Sequence, residues 1–389
     1  MKLVVPCEPH AGENRVAITP EAAAKLIKLG LQIAVESQAG NAATYADAMY
    51  QTVGATIFNS SDLNSQLGSA DVVATVRPLD VERAALLKKS AITVSFLSPT
   101  AHSEYIKALA AAGVTSLSFE LVPRISRAQS MDALTSQALC AGYRATLMAA
   151  ERSPKFFPML MTAAGTIPPA KVLVLGAGVA GLQVMATAKR LGAVVSAYDV
   201  RSSSADEVKS MGATFIDLGL DALEGAGGYA REMGEDRAKA QQDALKPYVS
   251  ESDIVITTAA VPGRRAPLLI TSDMMNEMKP GSVLVDLAAE TGGNIQGSIA
   301  GEDVSIPVQG GIITVVGCKD VPSQIAAHSS KLYAQNIVSL LSLFTAEGVI
   351  APDLADEVVA GCALIYQGEV RNALARETLG LSPLAQDGE

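Results

Sequence analysis

A short glycine-rich segment carries residues whose spacing suits the binding of a pyrophosphate. The run from residue 172 to residue 181 has the sequence VLVLGAGVAG and places glycines at positions 176, 178 and 181. The first glycine permits a tight turn after a strand, the second removes a side chain that would block the phosphates, and the third lets the following helix lie close to the sheet. The phosphates would then meet the free amides and the positive dipole end of that helix. A strand, a glycine turn and a helix in this order predict a dinucleotide site at Gly176, Gly178 and Gly181.

An acidic residue completes this pattern. Asp199 ends a second predicted strand, roughly 20 residues after the last glycine of the turn. A carboxylate at that point accepts hydrogen bonds from the adenosine ribose hydroxyls and repels a phosphate on the same ribose, which favours NAD over NADP. Arg201 stands two residues further on, and an arginine nearby is how some such sites accept the additional phosphate. We therefore predict an NAD(H) site, with NADP(H) as the alternative that Arg201 leaves open.

A second polar segment precedes a predicted long helix. It contains Arg124, Arg127, Gln129 and Asp132 within nine residues. These side chains offer hydrogen-bond donors and acceptors that could clamp a polar group such as a carboxamide. The same segment also fits a helix start, because Ser126 with Gln129 three residues later forms a capping box and Asp132 would favour the helix dipole. The residues alone are equally consistent with a binding loop and with a helix cap.

Side chains suited to proton transfer are scarce near these segments. Oxidation of an alcohol or amine with NAD requires a residue that takes or gives a proton, most often a histidine or a lysine. His10, His102 and His328 are scattered and none adjoins the glycine turn, and His102 fits the start of a surface helix better than a catalytic site. Hydride transfer directly between two nicotinamide rings needs positioning and no such residue. The sequence therefore favours a reaction in which geometry replaces acid–base chemistry.

Length and composition exclude several classes of protein. The chain has 389 residues, 49% of them hydrophobic and 18% charged, which predicts a globular protein of about two domains. A net charge of −10 argues against a nucleic-acid binder, which would carry a basic stripe. No run of about 20 apolar residues and no signal peptide is found, so we expect a cytoplasmic chain. The four cysteines form no CxxC pair, and no metal site is predicted.

The elements that would position these residues follow a repeating βα pattern. Predicted strands of the first half are Leu3–Val5, Gln32–Val35, Asp71–Val76, Ile92–Phe96 and Val114–Ser118. Predicted strands of the second half are Lys171–Leu175, Val194–Tyr198, Thr214–Ile216, Asp253–Thr257 and Ser282–Asp286. We therefore expect an α/β protein with two Rossmann-like domains, whose parallel sheets are joined by long helices. Only the second domain has the glycine fingerprint.

Two predicted long helices, Met131–Arg152 and Ser323–Thr345, connect the two series of strands. Their order predicts that the chain leaves the first domain, builds the second and then returns. The N-terminal domain is accordingly expected to comprise residues 1–133 and 323–389, and the NAD(H)-binding domain residues 134–322.

One stretch of the second domain interrupts the βα rhythm. Gly219–Tyr248 is rich in glycine, alanine and alternating charge. Long insertions in compact α/β units are usually lids or binding loops. We expect a mobile loop at about residues 219–248, with a plain surface excursion as the alternative.

Several longer motifs together resemble one known family. They are PRISRAQSMD at 123–132, MTAAGT at 161–166, AKRLGA at 188–193, DVR at 199–201, GGYAREMG at 227–234 and MKPGSV at 278–283. This set is similar to the NAD(H)-binding component, domain I, of proton-translocating nicotinamide nucleotide transhydrogenase. The likeness covers essentially the whole chain, and no single short motif would carry it.

The resemblance implies the residues of the site. It points to Arg124, Gln129 and Asp132 at the nicotinamide, with Gln129 linking the two nucleotides, and to Tyr229 on a loop that closes over bound nucleotide. These four are the expected catalytic residues. The residues expected to bind the cofactor are Arg127, Thr135, Gly176, Gly178, Val179, Ala180, Gly181, Asp199, Val200, Arg201, Gly228, Gln241 and Ala260.

The resemblance also implies partners. Members of the family are homodimers, an NADP(H)-binding domain III docks on them, and an integral-membrane domain II passes protons. The expected reaction is hydride transfer from NADH to NADP⁺ held on the partner, coupled to proton translocation. We therefore expect a cytoplasmic chain that is peripheral at the inner membrane through its partner subunits.

Alanine dehydrogenase, a relative of that family, supplies the alternative enzyme. It shares the pattern around Glu13 and Arg15, where its arginine holds a substrate carboxylate, so Arg15 is either part of a structural ion pair or a live anion site. Arg77 stands where that enzyme needs a lysine, and arginine cannot exchange a proton at ordinary pH. Its catalytic histidine would fall near Ser98. The third hypothesis is a non-catalytic NAD(H) sensor that uses the same fold.

Overall fold

The computed structural model describes residues 1–100, 103–221, 234–260 and 265–384. The chain forms two compact units, which we call unit 1 and unit 2. Unit 1 comprises Met1–Gln137 and Ser323–Glu389, and unit 2 comprises Ala138–Pro322. The chain thus leaves unit 1, builds unit 2 and returns.

The first segment of unit 1 alternates strands and helices. Its strands are β1 (Lys2–Val5), β2 (Gln32–Glu36), β3 (Thr56–Phe58), β4 (Val72–Ala74), β5 (Ile92–Ser95) and β6 (Thr115–Ser118). Its helices are α1 (Pro20–Lys28), α2 (Asp47–Thr52), α3 (Leu63–Ser69), α4 (Val81–Ala85), α5 (Ser103–Ala111) and α6 (Ala133–Arg152), which continues into unit 2. Helix α1 shows how the sequence sets such boundaries. The hydroxyl of Thr19 accepts a hydrogen bond from the amide of Ala22, and Pro20 takes the first helical position, where no amide donor is needed.

Unit 2 begins within α6, and a small hairpin follows before a second βα series. Its strands are β7 (Leu160–Thr162), β8 (Gly165–Ile167), β9 (Lys171–Leu175), β10 (Val194–Tyr198), β11 (Thr214–Phe215), β12 (Ile254–Thr257), β13 (Val283–Asp286), β14 (Asp303–Val308) and β15 (Gly311–Gly317). Its helices are α7 (Val179–Arg190), α8 (Ser204–Ser210), α9 (Glu235–Glu251) and α10 (Ser272–Asn276).

The returning segment completes unit 1. Its helices are α11 (Ala326–Leu343), α12 (Glu357–Cys362) and α13 (Ala373–Thr378). Its strands are β16 (Thr345–Ala346), β17 (Val349–Ile350), β18 (Ala363–Tyr366) and β19 (Glu369–Val370).

Each unit is built on one large, mostly parallel sheet. The strand order is β19-β18-β6-β5-β4-β1-β2-β3 in unit 1 and β11-β10-β9-β12-β13-β15-β14 in unit 2. The central strands β4, β5, β12 and β13 are buried along their whole length, as expected for parallel strands covered on both faces. The predicted α/β fold with two Rossmann-like, parallel-rich sheets is confirmed. Each sheet also has antiparallel pairing at one edge, which the sequence analysis did not include, through β18 and β19 in unit 1 and β14 in unit 2.

Three other features differ from the predicted elements. Helix α6 begins at Ala133 rather than Met131, because a 3-10 helix over Ser126–Met131 precedes it. Helix α11 begins at Ala326 and ends at Leu343, within the predicted range. The loop predicted at about 219–248 is wrong for its second half, where α9 begins at Glu235. Residues 222–233 of that prediction lie outside the described residues.

Candidate functional site

The glycine turn after β9 is shaped by close backbone contacts. Gly176 has a φ of +104°, and a Cβ atom there would lie 2.6 Å from the hydroxyl oxygen of Thr258. A Cβ atom on Gly181 would collide with the carbonyl oxygen of Gly176, which shows how closely α7 approaches the turn. Both positions therefore require glycine for reasons internal to the fold. These are the roles that the sequence predicted for them.

Gly178 differs from its two neighbours. Its φ is −72°, a value open to any residue, and a Cβ atom there would meet no atom of the described residues within 4 Å. It is the N-cap of α7, and because it has no side chain, none caps the first amides of that helix. Val179 is exposed and Ala180 half-buried in the same turn. Open space in front of an uncapped helix N-terminus is what a dinucleotide pyrophosphate requires, so this turn fits that group.

Asp199 lies beside the turn at the end of β10. Its Oδ2 accepts a hydrogen bond from the amide of Ala177 at 2.7 Å. Arg201 donates from its amide and its Nε to Oδ1, both at 2.9 Å, and from a terminal nitrogen to Oδ2 at 3.0 Å. The two side chains form an ion pair in which Asp199 is 7% and Arg201 18% exposed. The carboxylate therefore fixes the glycine turn and holds Arg201 at the same time.

The end of β12 forms a further wall of this turn. Thr258 donates its hydroxyl hydrogen to the carbonyl oxygen of Gly176 at 3.1 Å. Asn294 donates through its side-chain amide to the carbonyl oxygens of Ala259 and Pro267, both at 2.8 Å. Ala260, expected to bind the cofactor, is exposed at this point. Asn294 thus joins the two ends of the loop that carries Ala260.

A buried carboxylate supports that loop. Asp286 ends β13 and is fully buried. It accepts hydrogen bonds from the hydroxyl of Thr257 at 3.2 Å and from the amides of Ala288, Asn294 and Ile295 at 3.0 to 3.2 Å. Sequence reasoning missed these residues. The available signal was an acid at the end of an apolar strand, followed by paired glycines and an asparagine.

The other residues predicted in unit 2 occupy different environments. Gln241 on α9 is buried, and its Oε1 accepts a hydrogen bond from the hydroxyl of Tyr198 at 3.2 Å. Val200 is half-buried beside the core under the sheet. Gly228 and Tyr229 lie outside the described residues.

The polar loop of unit 1 contains a helix cap. Both carboxylate oxygens of Asp132 are taken by Thr135, whose amide donates at 2.9 Å and whose hydroxyl donates at 2.7 Å. Asp132 thereby caps α6, whereas the sequence suggests only that it favours the helix dipole. The capping box between Ser126 and Gln129 is not formed. Ser126 lies inside the 3-10 helix, and the N-cap position is taken by Ile125, which makes no side-chain hydrogen bond.

Gln129 is presented to solvent on an anchored segment. The buried side chains of Ala128 and Met131 hold the 3-10 helix from below, and Asn336 donates to the carbonyl oxygen of Ser130 at 2.8 Å. The Gln129 side chain is exposed and has no hydrogen bond to the part of unit 1 that the structure describes. Arg124 is also exposed. An anchored segment with a solvent-facing amide can bind a polar ligand group without rearranging its backbone.

Arg127 has partners within unit 1. Its guanidinium donates to both oxygens of Asp356 at 2.8 and 2.9 Å and to Glu357 at 3.1 Å. Hydrogen bonds from Arg127 hold the pKa of Asp356 at about 2. The predicted cofactor residue therefore ties the polar loop to the start of α12.

Arg15, the residue shared with the alternative enzyme, lies in a buried ion pair. It donates to the two oxygens of Glu13 at 2.7 and 2.6 Å and to Gln137 at 2.8 Å. Arg77 donates to Glu13 at 2.9 Å. Burial by itself would raise the pKa of Glu13, but the hydrogen bonds from Arg15 and Arg77 outweigh it and hold the pKa at about 2. The structural ion pair is thus the interpretation of Arg15 that the geometry favours.

Two further features concern metal ligands and membrane spans. The described residues contain no group of three or more His, Cys, Asp or Glu side chains placed to hold a metal ion. Among the described helices, none combines the length and apolar character needed to cross a bilayer.

Comparisons with known proteins complete the description. The models of the alanine dehydrogenase/PNT N-terminal and C-terminal domains match residues 4–141 and 145–373. The chain is 45% identical over 380 residues to the first part of NAD(P) transhydrogenase subunit alpha of Rhodospirillum rubrum, covering 95% of this chain and 97% of that protein. A solved transhydrogenase from Sinorhizobium meliloti superposes with a TM-score of 0.82 at 40% identity, covering 96% of this chain and 99% of that one. Alanine dehydrogenase of Halomonas elongata is 30% identical over 75% of this chain and 74% of its own.

Proposed function

The chain belongs to the alanine dehydrogenase/PNT family, and from this premise we propose that it is the NAD(H)-binding component of a proton-translocating nicotinamide nucleotide transhydrogenase. One observation carries the proposal: Gly178 leaves the N-terminus of α7 uncapped and open although its backbone does not require glycine. A ligand outside the chain explains that glycine, and the amides of the helix start suit a pyrophosphate. Asp199 at the end of β10 suits the ribose of the same ligand.

In the proposed reaction this chain supplies positioning. The bound nicotinamide supplies the hydride, which passes directly to NADP⁺ on a partner domain. The amides of Val179 and Ala180 hold the pyrophosphate, and the carboxylate of Asp199 holds the ribose. The exposed side chains of Arg124 and Gln129 are the proposed polar contacts of the nicotinamide end. No side chain needs to gain or lose a proton, because hydride transfer between two nicotinamides is balanced without one.

The relatives favour this assignment over amino-acid oxidation, and so does one feature of unit 1. The guanidinium of Arg15, which would have to bind a substrate carboxylate, already donates hydrogen bonds to Glu13 and Gln137. Arg77, at the position of the missing lysine, donates to the same Glu13. Arginine cannot act as a proton donor or base at ordinary pH. The sensor hypothesis does not explain the solvent-facing amide of Gln129, which nucleotide binding alone would not require.

The proposal includes partner chains and a place in the cell. An NADP(H)-binding domain III would dock on this chain, and an integral-membrane domain II would couple hydride transfer to proton movement. The chain itself would be cytoplasmic and peripheral at the inner membrane through those subunits.

We also propose that the chain forms a homodimer. The hairpin β7–β8 pairs with neither large sheet, and a two-stranded hairpin alone is marginally stable in water. It exposes apolar side chains, with Met161 77% and Met159 55% exposed and Phe156 beside them 54% exposed. An exposed apolar patch of this kind marks an interaction surface.

Sedimentation equilibrium tests the homodimer. Wild type is expected to sediment as a dimer, and the double variant Met159→Glu/Met161→Glu as a monomer. Met49→Glu in unit 1 changes an exposed methionine in the same way and should leave the dimer intact. A double variant that remains dimeric would exclude the hairpin as the interface.

The assay that tests the function mixes the purified chain with an NADP(H)-loaded domain III of a relative. Reduction of an NADP⁺ analogue by NADH is expected only when both proteins are present. NADH binding without turnover in the mixture would favour the sensor. Deamination of alanine by the chain alone would favour the dehydrogenase.

A further inference from the structure

The carboxylate of Asp199 has no acceptor capacity left. A carboxylate offers about four lone-pair sites. Ala177 occupies one of them, and three bonds from Arg201 occupy the others, at distances of 2.7 to 3.0 Å. A ribose hydroxyl that binds Asp199 must therefore replace one of these bonds. The amide of Ala177 belongs to the glycine turn, so the side chain of Arg201 is the partner that can yield.

The same contacts fix where the guanidinium of Arg201 lies. Strand β10 is paired with β9 up to Tyr198 and Leu175, and the amide of Gly176 donates to the carbonyl oxygen of Tyr198 at 2.9 Å. The loop after β10 is thus adjacent to the glycine turn. Within it, two side-chain nitrogens of Arg201 lie 2.9 and 3.0 Å from the carboxylate that would accept the ribose hydroxyls. A fork of this kind matches the geometry of a phosphate as well as that of a carboxylate.

We propose that the loop after β10 contains a closed site for adenosine that carries a 2′-phosphate, and that Arg201 is its specificity-determining residue. This inference rests on the proposed nucleotide site of unit 2. In the wild-type chain Asp199 disfavours a 2′-phosphate in two ways. Its carboxylate forms an ion pair with the guanidinium of Arg201, and its negative charge repels a phosphate on the ribose. Without the carboxylate charge, the same guanidinium becomes a partner for the 2′-phosphate. Selection of NAD(H) against NADP(H) is therefore a property of the pair and not of Asp199 alone.

The pair makes opposite predictions for its two members. Removal of the carboxylate charge admits the 2′-phosphate. Removal of Arg201 alone leaves the charge of Asp199 uncompensated, so discrimination against the 2′-phosphate becomes stronger. A simple acid-only mechanism would instead predict little effect of Arg201.

Calorimetric titration with two small ligands tests the site. Adenosine 2′,5′-bisphosphate differs from 5′-AMP only in its 2′-phosphate, and the ratio of the two dissociation constants isolates that group. Asp199→Asn is expected to shift this ratio by roughly tenfold or more in favour of the bisphosphate, which is the size of one hydrogen bond to a charged group. The gain should vanish in Asp199→Asn/Arg201→Ala. Arg201→Ala alone should shift the ratio in the opposite direction.

Two controls keep the result specific. Asp206→Asn removes one negative charge from α8, where the side chain is 97% exposed, and is expected to leave the ratio unchanged. Asp199→Ser keeps an acceptor for the Ala177 amide and replaces Asp199→Asn if the latter does not fold.

Three results would overturn the inference. They are an unchanged ratio in Asp199→Asn with 5′-AMP still bound, a gain that survives loss of Arg201, and an equal gain in Asp206→Asn. Failure of wild type to bind 5′-AMP would overturn the nucleotide site as well. Absence of hydride transfer with 5′-AMP binding intact would contradict the proposed function and leave this inference standing.

Discussion

The loops that follow β1 and β9 occupy equivalent places in their sheets but have opposite chemistry. Strand β1 lies between β4 and β2, and β9 lies between β12 and β10, so each loop emerges where the strand order reverses. Ligands of open α/β sheets bind at such points. After β9 the described part of the chain leaves open space at Gly178. After β1 it fills the corresponding place with its own charged side chains.

In unit 1 the charged side chains of the loop after β1 have defined partners. Glu8 accepts hydrogen bonds from the amides of Val76 at 2.6 Å and Arg77 at 3.1 Å, at the end of β4. Glu13 and Arg15 form the buried pair next along the chain. Two units of one fold class therefore differ in a few loop residues, and the proposed nucleotide site belongs to only one of them, since a fold does not determine an activity.

The largest effect is expected from breaking the ion pair of unit 1. Arg15→Ala leaves Glu13 buried without its main partner, which typically costs about 3–5 kcal/mol in the free energy of unfolding. Urea unfolding followed by circular dichroism measures that loss. Arg83→Ala removes a more exposed arginine of the same unit and should cost less than about 1 kcal/mol. Equal losses in the two variants would show that the Arg15 pair does not stabilise the loop after β1.

A side chain at the open position of unit 2 should act on binding and not on folding. Gly178→Leu is expected to weaken NADH binding by about a hundredfold, because it occupies the space proposed for the pyrophosphate and removes hydrogen bonds to a charged group. Its unfolding free energy should stay within about 0.5 kcal/mol of wild type, since none of the residues that the structure describes has an atom within 4 Å of the new Cβ.

Gly68→Leu is the matched control for that variant. It places the same side chain at an exposed position of α3 in unit 1, where the nearest neighbour of a Cβ atom among the described residues, the carbonyl oxygen of Leu86, lies at 3.6 Å. NADH affinity should not change there. A Gly178→Leu chain that binds NADH as tightly as wild type would remove the glycine turn from the nucleotide site.

Acid should lower the unfolding free energy of unit 1 through Glu13, in the loop after β1. The pKa of Glu13 is about 2 in the folded chain against an ordinary value of 4.5. Its contribution to stability is therefore present above pH 4.5 and is lost as the pH falls towards 2. The double variant Glu13→Gln/Arg15→Met, which removes both charges, should show a smaller decline of unfolding free energy over that window. An identical acid profile would mean that Glu13 is not responsible for the acid sensitivity of unit 1.

The smallest effect concerns the polar loop. Asp132→Ala removes the cap of α6 and should lower the unfolding free energy by about 1 kcal/mol. Asp132→Asn keeps an acceptor and should restore most of it. If Asp132 also contacts the nicotinamide, the rate of hydride transfer to domain III will fall in both variants. If Asp132 is only a cap, that rate should recover in Asp132→Asn.

Local sequence predicted the parts of the molecule that depend on neighbouring residues. The glycine turn followed from three glycines and a strand. A helix start was expected near Asp132, but the residue expected to cap it was Ser126 and not Asp132. The ion pairs of Arg127 could not be predicted, because its partners Asp356 and Glu357 lie more than two hundred positions away along the chain. The antiparallel strand β18 was missed for the same reason, since only the folded sheet brings it to β6. The support of the Ala260 loop likewise depends on contacts between the ends of β12 and β13.

Amide hydrogen exchange with and without NADH tests most directly the contrast between the open and the filled loop. Binding is expected to protect the amides of the glycine turn and the first turn of α7, from Gly176 to Leu182, together with the loop at Asp199. The segment from Glu8 to Arg15 should exchange at the same rate in both states. Protection of the unit 1 segment without protection of the glycine turn would contradict the account.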